Sequence, residues 1–371
     1  MTRMSAGFQP PPYPQDRLAE IRRIPAKAGR ELVDLSIGTP VDPVPALAME
    51  LAASLSLARG YPSSPGSIEL RQAASDWMSR RFGVEVPAEH VAATVGSKEF
   101  VAGLPGYLRL RDPSRDVVLY PAISYPTYAM GATLAGCRAI PVETGPDGEL
   151  ELDSVDAALL DRALCCWVNT PANPTGRVSG YEKVVRSARE HGFVVAADEC
   201  YVEFVWDRPA RTVLEHGTEG LLAVHSLSKR SNFAGGRVGF YAGDGELVRY
   251  LSEVRKHAGL MIPGPMQAIG AALLGDQEHV ELQRRRYRER LEILMEIAGS
   301  LSLPARMPEG GFYLWVCDER RDGFELAALV AEATGIVGSP GEFYGTGARN
   351  CLRIAAVAPT EKLRAIAASL K

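Results

Sequence analysis

The chain has 371 residues, a formal net charge of -4, and 46% hydrophobic and 23% charged residues. That is the balance of a globular protein with room for more than one domain. It carries no clustered basic face of the kind that grips nucleic acid and no run near the ~20 apolar residues that span a bilayer. The opening MTRMSAGFQPPPYPQD lacks the apolar centre of a secretion signal, so a cytoplasmic protein with neither nucleic-acid nor membrane partners is expected. Six cysteines form no C-x-x-C pair, and all six are expected as reduced, mostly buried thiols. Cys165 and Cys166 are adjacent in a strand-like run, which points them to opposite faces.

In chain order, a Pro-rich arm leads into a short helix expected around 16–26, then a strand over 32–37 that stops at Gly38-Thr39-Pro40. Residues 66–82 place Leu70, Ala73, Ala74, Trp77 and Met78 on one helical face. Short apolar runs follow at 117–120, 163–168, 193–197, 221–224 and 238–242, with a helix over 180–191 between them. Near-continuous apolar strands separated by helices predict an α/β fold, a mainly parallel sheet with helices on both faces. After Gly264-Pro265 the pattern changes to helices at 266–275, 280–300, 324–334 and 360–370 and strands at 310–316 and 352–356, a smaller α+β domain. The basic run Arg284-Arg285-Arg286 with Arg288 and Arg290 reads as a solvated helix face. The expected division is 1–40 as an arm and part of the small domain, 41–264 as the large ligand-binding domain, and 265–371 as the small domain.

Four segments carry chemistry. HSLSKRSNFAGGRVGF, residues 225–240, follows a strand and sets Ser226, Ser228, a Gly-Gly pair and Arg237 around Lys229. Hydroxyls, backbone amides and an arginine suit a phosphate dianion. A lysine buried beside positive charge loses its proton readily and can then attack an aldehyde. Asp198 closes an all-apolar strand, where ligands of open α/β sheets bind. A carboxylate there can hold a pyridine nitrogen cationic, with Tyr201 three residues on at a ring oxygen; the plainer reading is a helix cap. NTPANPTG, residues 169–176, is a turn that can present Asn173 to the same oxygen. TVGSKE, residues 94–99, ends a strand and opens a helix at Gly96-Ser97, a backbone cradle for an anion.

Taken together, Gly38, Tyr61, Gly96-Ser97, Tyr125, Asn173-Pro174-x-Gly176, Asp198-x-x-Tyr201, Ser226-x-Ser228-Lys229, Arg237 and Arg353 resemble the class I/II aminotransferases. These are fold type I enzymes of pyridoxal 5'-phosphate (PLP), and the set spans nearly the whole chain in family order. The resemblance implies Lys229 as the Schiff-base lysine and proton shuttle and Asp198 as the pyridinium partner. It implies Tyr201 and Asn173 at the ring oxygen and Tyr125 stacked on the ring, with Tyr128 as the alternative to Tyr125 and core packing as the plainer role. Gly96, Ser97, Ser226, Ser228 and Arg237 match the phosphate cup. Tyr61 matches a residue reaching the phosphate of the neighbouring subunit, which implies a homodimer with shared active sites. Arg353, Gly38 and Asn173 match the groups around a substrate α-carboxylate. Phe312 and Trp315 read as strand residues near the site, and no histidine is given a role.

Finer stretches, VDLSIGTPVDPVP (33–45), GYPSSPGS (60–67), HSLSKRSNFAGGR (225–237), VRKHAGLMIPGPMQ (254–267) and GEFYGTGARN (341–350), resemble the succinyldiaminopimelate aminotransferases of actinobacteria. They imply amino transfer between glutamate and an N-succinylated keto-pimelate, in lysine biosynthesis. A distal carboxylate has four candidate partners, Lys98, Arg230, Arg255 and Lys256. The divergent segment 317–323 is expected near the substrate entrance. The rivals are another amino-acid aminotransferase or a PLP β-lyase on the same scaffold. A PLP-sensing regulator would need a DNA-binding module, and a nicotinamide enzyme a G-x-G-x-x-G after a strand; neither is seen in the sequence.

Overall fold

The computed structural model describes residues 7–54 and 60–371. The first six residues of the expected arm lie outside that range. Twelve strands are described: β1 (Val33–Asp34), β2 (Val91–Val95), β3 (Val117–Pro121), β4 (Arg138–Val142), β5 (Ala163–Asn169), β6 (Val194–Asp198), β7 (Leu221–Ser226), β8 (Val238–Gly243), β9 (Tyr313–Cys317), β10 (Ile336–Val337), β11 (Ser339–Pro340) and β12 (Cys351–Ala355). Seven of them form one sheet in the order β2-β8-β7-β6-β5-β3-β4. β8 runs antiparallel to both its neighbours and the other pairs are parallel, so the expected mainly parallel sheet is present.

The apolar runs make this sheet because both its faces are covered. Cys166, Val168, Val195 and Ala197 pack in one cluster with the helices Ile68–Phe82, Glu182–His191 and Gly264–Gly275. Cys165, Trp167, Ala196 and Leu222 pack in another with the helices Ser97–Arg111, Thr127–Leu134 and Gly245–His257. Cys165 and Cys166 do point to opposite faces. A third cluster joins Leu18, Val33 and Leu35 to the long helix Glu278–Ser300, the helix Gly323–Thr334 and a three-stranded antiparallel sheet, β11-β12-β9. The N-terminal segment thus packs with the C-terminal part of the chain, through β1 paired to β10.

Several expectations are corrected. The helix expected over 16–26 is two 3-10 turns, Pro14–Leu18 and Ile21–Arg23, and one α turn, Ile24–Lys27. The strand expected over 32–37 pairs only at Val33–Asp34, because Ser36 turns back to Asp34 through its hydroxyl (2.6 Å) and backbone amide (3.0 Å). Cys317 and Cys351 are not thiols but a disulfide. They face each other directly across β9 and β12, a proximity that a separation of 34 residues does not reveal. The run around Arg284–Arg290 is not simply solvated. Arg290 is buried against Asp42 at 2.6 Å on both oxygens, and Arg284 donates to backbone carbonyls of Glu203 and Trp206.

Candidate active site

The C-terminal ends of β5, β6 and β7 deliver polar side chains to one cavity of about 340 Å³, a volume in the range of small-molecule sites. Its lining includes Lys229, Asp198, Tyr201, Asn173, Tyr125, Ser97, Ser226, Ser228, Arg237, Gly38 and Arg353. The sequence motifs therefore converge, although they lie up to 315 residues apart (353 minus 38). Gly96 lies just behind this lining with φ of 69°, and a Cβ on it would sit 2.0 Å from the Arg237 guanidinium. Only glycine accommodates both the backbone angle and that approach. Tyr61 alone of the expected set is elsewhere: it is 98% exposed and outside the cavity.

Asp198 ends β6 fully among other groups. Its Oδ2 accepts from Tyr128 Oη at 2.8 Å and its Oδ1 from the Cys200 amide at 3.2 Å. Tyr128 is itself buried and stacked on Trp167 at 5.1 Å, so it holds the acid, while Tyr125 lines the cavity. Burial raises the Asp198 carboxyl, against those two hydrogen bonds. No cation is ion-paired with it among the described residues. The helix-cap reading fails because no helix of any length starts at Asp198; a 3-10 turn begins at Val202.

Lys229 sits on the single turn Leu227–Arg230, which Ser226 caps by accepting from the Ser228 amide at 3.2 Å. Its ammonium donates to the Gly38 carbonyl. Burial, then the charges of Arg353 and Arg237, bring it down to about 8, so a usable fraction of neutral amine exists near neutral pH. Gly38 must be glycine here: a Cβ would meet Tyr313 Oη at 2.2 Å. Tyr201 Oη is 2.9 Å from Tyr313 Oη.

Arg353 lies in β12, flanked by β11 and β9, so it is not an exposed strand-end residue. Nη1 donates to Asn173 Oδ1 at 2.7 Å and Nη2 to the Ser36 carbonyl at 2.6 Å. Its Nε has no hydrogen-bond partner among the described residues. Tyr313 and Tyr344 rings lie 4.1 and 4.8 Å from the guanidinium carbon. Asn169, which the sequence reading passed over, ties the floor together: its Nδ2 donates to the Asp198 carbonyl at 2.8 Å and its Oδ1 accepts from the Asn173 amide at 2.7 Å. Its place in the NTPANPTG motif was the available signal. The arm adds Tyr13, Pro14 and Gln15 to the cavity rim.

Of the four candidate partners for a distal carboxylate, only Lys98 lines the cavity. Arg230 is paired with Glu203 at 2.9 Å, Arg255 with Glu99 at 2.8 Å and Lys256 with Glu253 at 3.8 Å. Residues 317–323 do not line the cavity; Asp318 instead binds Arg320 and Arg321.

The arrangement fits PLP on its own terms. It offers an amine brought close to neutrality, a buried acid with no cation, and a cup of serines, a helix start at Ser97 and an arginine. A mainly parallel α/β sheet with an acid and a lysine beyond its strand ends, faced by an arginine from the smaller antiparallel sheet, is the arrangement of a PLP enzyme of fold type I. The chain matches the model of the family "Aminotransferase class I and II" over residues 30–370, and it belongs to that family. Relatives agree. A probable aminotransferase of Mycobacterium tuberculosis is 40% identical, over 96% of this chain and 84% of its own. A 4-dedimethylamino-4-oxo-anhydrotetracycline transaminase of Streptomyces rimosus is 39% identical, over 97% of this chain and 99% of its own. Among solved structures, a probable N-succinyldiaminopimelate aminotransferase from Thermus thermophilus superposes with a TM-score of 0.84 at 30% identity, covering 95% of this chain and 98% of that one. The protein is thus a PLP-dependent aminotransferase. No helix among the described residues is long and apolar enough to cross a membrane.

Proposed function

We propose that this aminotransferase passes an amino group from glutamate to an N-succinylated keto-pimelate, or the reverse, in two half-reactions at one cavity. The observation that carries the reading is a pair of complementary unmatched charges in that cavity, Asp198 without a cation and Arg353 without a carboxylate. The protonated pyridine nitrogen of PLP would be the cation for Asp198, and the α-carboxylate of an amino acid the anion for Arg353. PLP supplies the electron sink that makes the substrate Cα–H acidic.

The chain's own residues do the rest. Asp198, fixed by Tyr128, would face the pyridine nitrogen. Tyr201 and Asn173 would serve the ring oxygen, and Tyr125 would lie on the ring face. Gly96, Ser97, Ser226, Ser228 and Arg237 would hold the phosphate. Arg353 orients the α-carboxylate by a two-pronged contact, with Asn173 and the Gly38 backbone beside it. Lys229 Nζ, as the neutral amine, would take the Cα proton and later return it. Lys98, at the rim and donating to Tyr13 Oη (3.3 Å), faces the far carboxylate of the substrate. The large domain, 41–264, would carry the cofactor, and the small one contributes Arg353 to the same cavity.

A homodimer with shared sites is part of the reading. Exposed Ile37, Val41, Met49, Tyr61 and Ile68 all fall within residues 37–68, a stretch whose Ile37 and Gly38 line the cavity, and Tyr61 would reach from one subunit toward the cavity of the other. The cytoplasm, where glutamate and 2-oxo acids are held, suits the reaction.

The Streptomyces relative supports a second reading, a bulky polycyclic ketone as acceptor. A half-reaction screen separates the two. Holoenzyme is mixed with glutamate, N-succinyl-diaminopimelate and amino-anhydrotetracycline while cofactor absorbance is followed. Conversion by glutamate and the succinylated compound is expected. A shift with the tetracycline amine alone would replace the first reading by the second, and release of ammonia would point to a β-lyase.

A further inference from the structure

Behind the cavity floor lies a second pair of polar groups with no part in the reading so far. Asp198 and Ser226 end adjacent parallel strands, β6 and β7, and line the cavity. Their sequence neighbours Glu199 and His225 do not line it; they turn to the reverse side. Both are buried, at 0% and 3% exposure. Glu199 Oε2 and His225 Nε2 stand 3.3 Å apart, and neither atom has another hydrogen-bond partner among the described residues. The other carboxylate oxygen is saturated: Oε1 accepts from Tyr181 Oη at 2.9 Å, Thr212 Oγ1 at 3.1 Å and the Val213 amide at 2.8 Å. The imidazole is boxed by Trp77, Phe82 and Phe240, with centroids at 4.9, 6.2 and 5.0 Å.

Two buried acceptor atoms facing each other at this distance repel unless a proton lies between them. We infer that Glu199 and His225 are positioning residues that share one proton across the tips of β6 and β7, and so fix the spacing between the acid and the phosphate cup of the cofactor site. The inference rests on the cofactor reading given above. The rungs of the ladder themselves stop here: the Glu199 amide donates to the Val224 carbonyl at 2.9 Å, and beyond it the two chains diverge into a 3-10 turn and the lysine-bearing turn. A tie at this point holds both chain ends where backbone pairing no longer does.

The charges agree. Burial lifts Glu199 to about 8, against the Val213, Tyr181 and Thr212 hydrogen bonds, and burial lowers His225 to about 3. Between those values the carboxyl keeps its proton and the imidazole is neutral, so the Glu199 proton is the one that lies between Oε2 and Nε2. The ionisable groups facing it are Tyr181, Glu215 and Glu203, and Glu203 is neutralised by Arg230 and Arg81 at 2.9 Å each.

The test uses full-length protein freed of cofactor and titrated with pyridoxamine 5'-phosphate, which cannot bond to Lys229. Glu199→Gln keeps a donor toward His225 and should bind within about threefold of wild type. Glu199→Leu and His225→Leu should bind at least about tenfold more weakly, measured well below their own melting temperatures. A folded Leu variant that binds like wild type overturns the inference, as does Glu199→Gln binding as weakly as Glu199→Leu. Should neither Leu variant fold, the ratio of wild-type to Glu199→Gln affinity from pH 7 to 9.5 decides. Lys229 titrates in both proteins and cancels. A ratio falling about fivefold as the shared proton leaves supports the pair, and a constant ratio refutes it. Wild-type protein that binds no pyridoxamine phosphate would instead end the cofactor reading, and this inference with it.

Discussion

Four arginines among the described residues are almost fully buried, and they divide the molecule into two regions. In the framework, Arg230 meets Glu203, Arg255 meets Glu99 and Arg290 meets Asp42, each within 2.6 to 2.9 Å. In the cavity, Arg353 meets only neutral oxygens, of Asn173 and Ser36. A buried guanidinium is costly unless an anion accompanies it. The framework solves this with an acid from the same chain. The cavity leaves it to a carboxylate from outside, and Asp198 is the mirror case for a cation. Closed pairs hold the fold, and open charges mark where ligands complete it.

The comparison breaks if cavity substitutions damage the fold as much as the function. Lys229→Ala should cost about 10^4-fold in turnover, the upper end for one positioned proton-transfer group, while thermal melting of the cofactor-free protein stays within a few degrees of wild type. Arg353→Leu should lower kcat/KM by about 10^3-fold, from two charged contacts worth ~1.5–3 kcal/mol each, again with little change in melting. Arg230→Leu should do the reverse. It leaves buried Glu203 with Arg81 as its one remaining cation among the described residues, at a cost of about 3 kcal/mol in unfolding free energy, read by chemical denaturation. Equal losses of stability in Arg353→Leu and Arg230→Leu would erase the distinction between the regions.

The pH dependence sharpens it. Lys229 is lowered to about 8, first by burial and then by Arg353 and Arg237. Only its neutral amine can bond the cofactor's aldehyde, so the rate of PLP uptake by cofactor-free protein should rise about 50-fold from pH 6 to pH 8 and then level. The sign is that of a depressed amine: the charged form prevails below about 8 and the reactive form above. Arg353→Leu removes one of the two positive neighbours, so the midpoint should move upward. An unmoved midpoint would mean that burial alone sets it.

How much of this was legible in the sequence follows the same division. The strands β5, β6 and β7 were readable because both faces are buried, which leaves unbroken apolar runs, and the site residues stood out as polar endings to those runs. Asp198 and Lys229 are conspicuous for that reason, and Arg353 because it interrupts the apolar run of β12. What was hidden is what depends on pairing across distance. Cys317 and Cys351 meet because β9 and β12 are in register, and Arg290 is buried because Asp42, 248 residues away, comes back to it. His225 was passed over because its acid, Glu199, is 26 residues earlier (225 minus 199) on the neighbouring strand. Tyr128 and Tyr125 could not be separated by sequence, since both fall in one short motif; the helix Thr127–Leu134 turns one into the core and leaves the other at the cavity.

Lys98 tests the boundary between the two regions, where an open charge is also exposed. It stands at the rim on the first turn of the helix Ser97–Arg111, beneath the ring of Tyr13 at 5.1 Å. Water competes there for any carboxylate, so an ion pair is worth only ~0.2–1 kcal/mol. Lys98→Met should therefore raise KM for a substrate with a distal carboxylate by about threefold to fivefold and leave KM for alanine unchanged, with kcat for both close to wild type. The small size is itself informative, because it follows from exposure and contrasts with the 10^3-fold expected at Arg353, where water is excluded. An equal rise for both substrates would mean that Lys98 acts on the arm rather than on the substrate. A drop of 10^2-fold or more would mean that the rim closes over the bound substrate and turns Lys98 into a buried partner like the arginine below it.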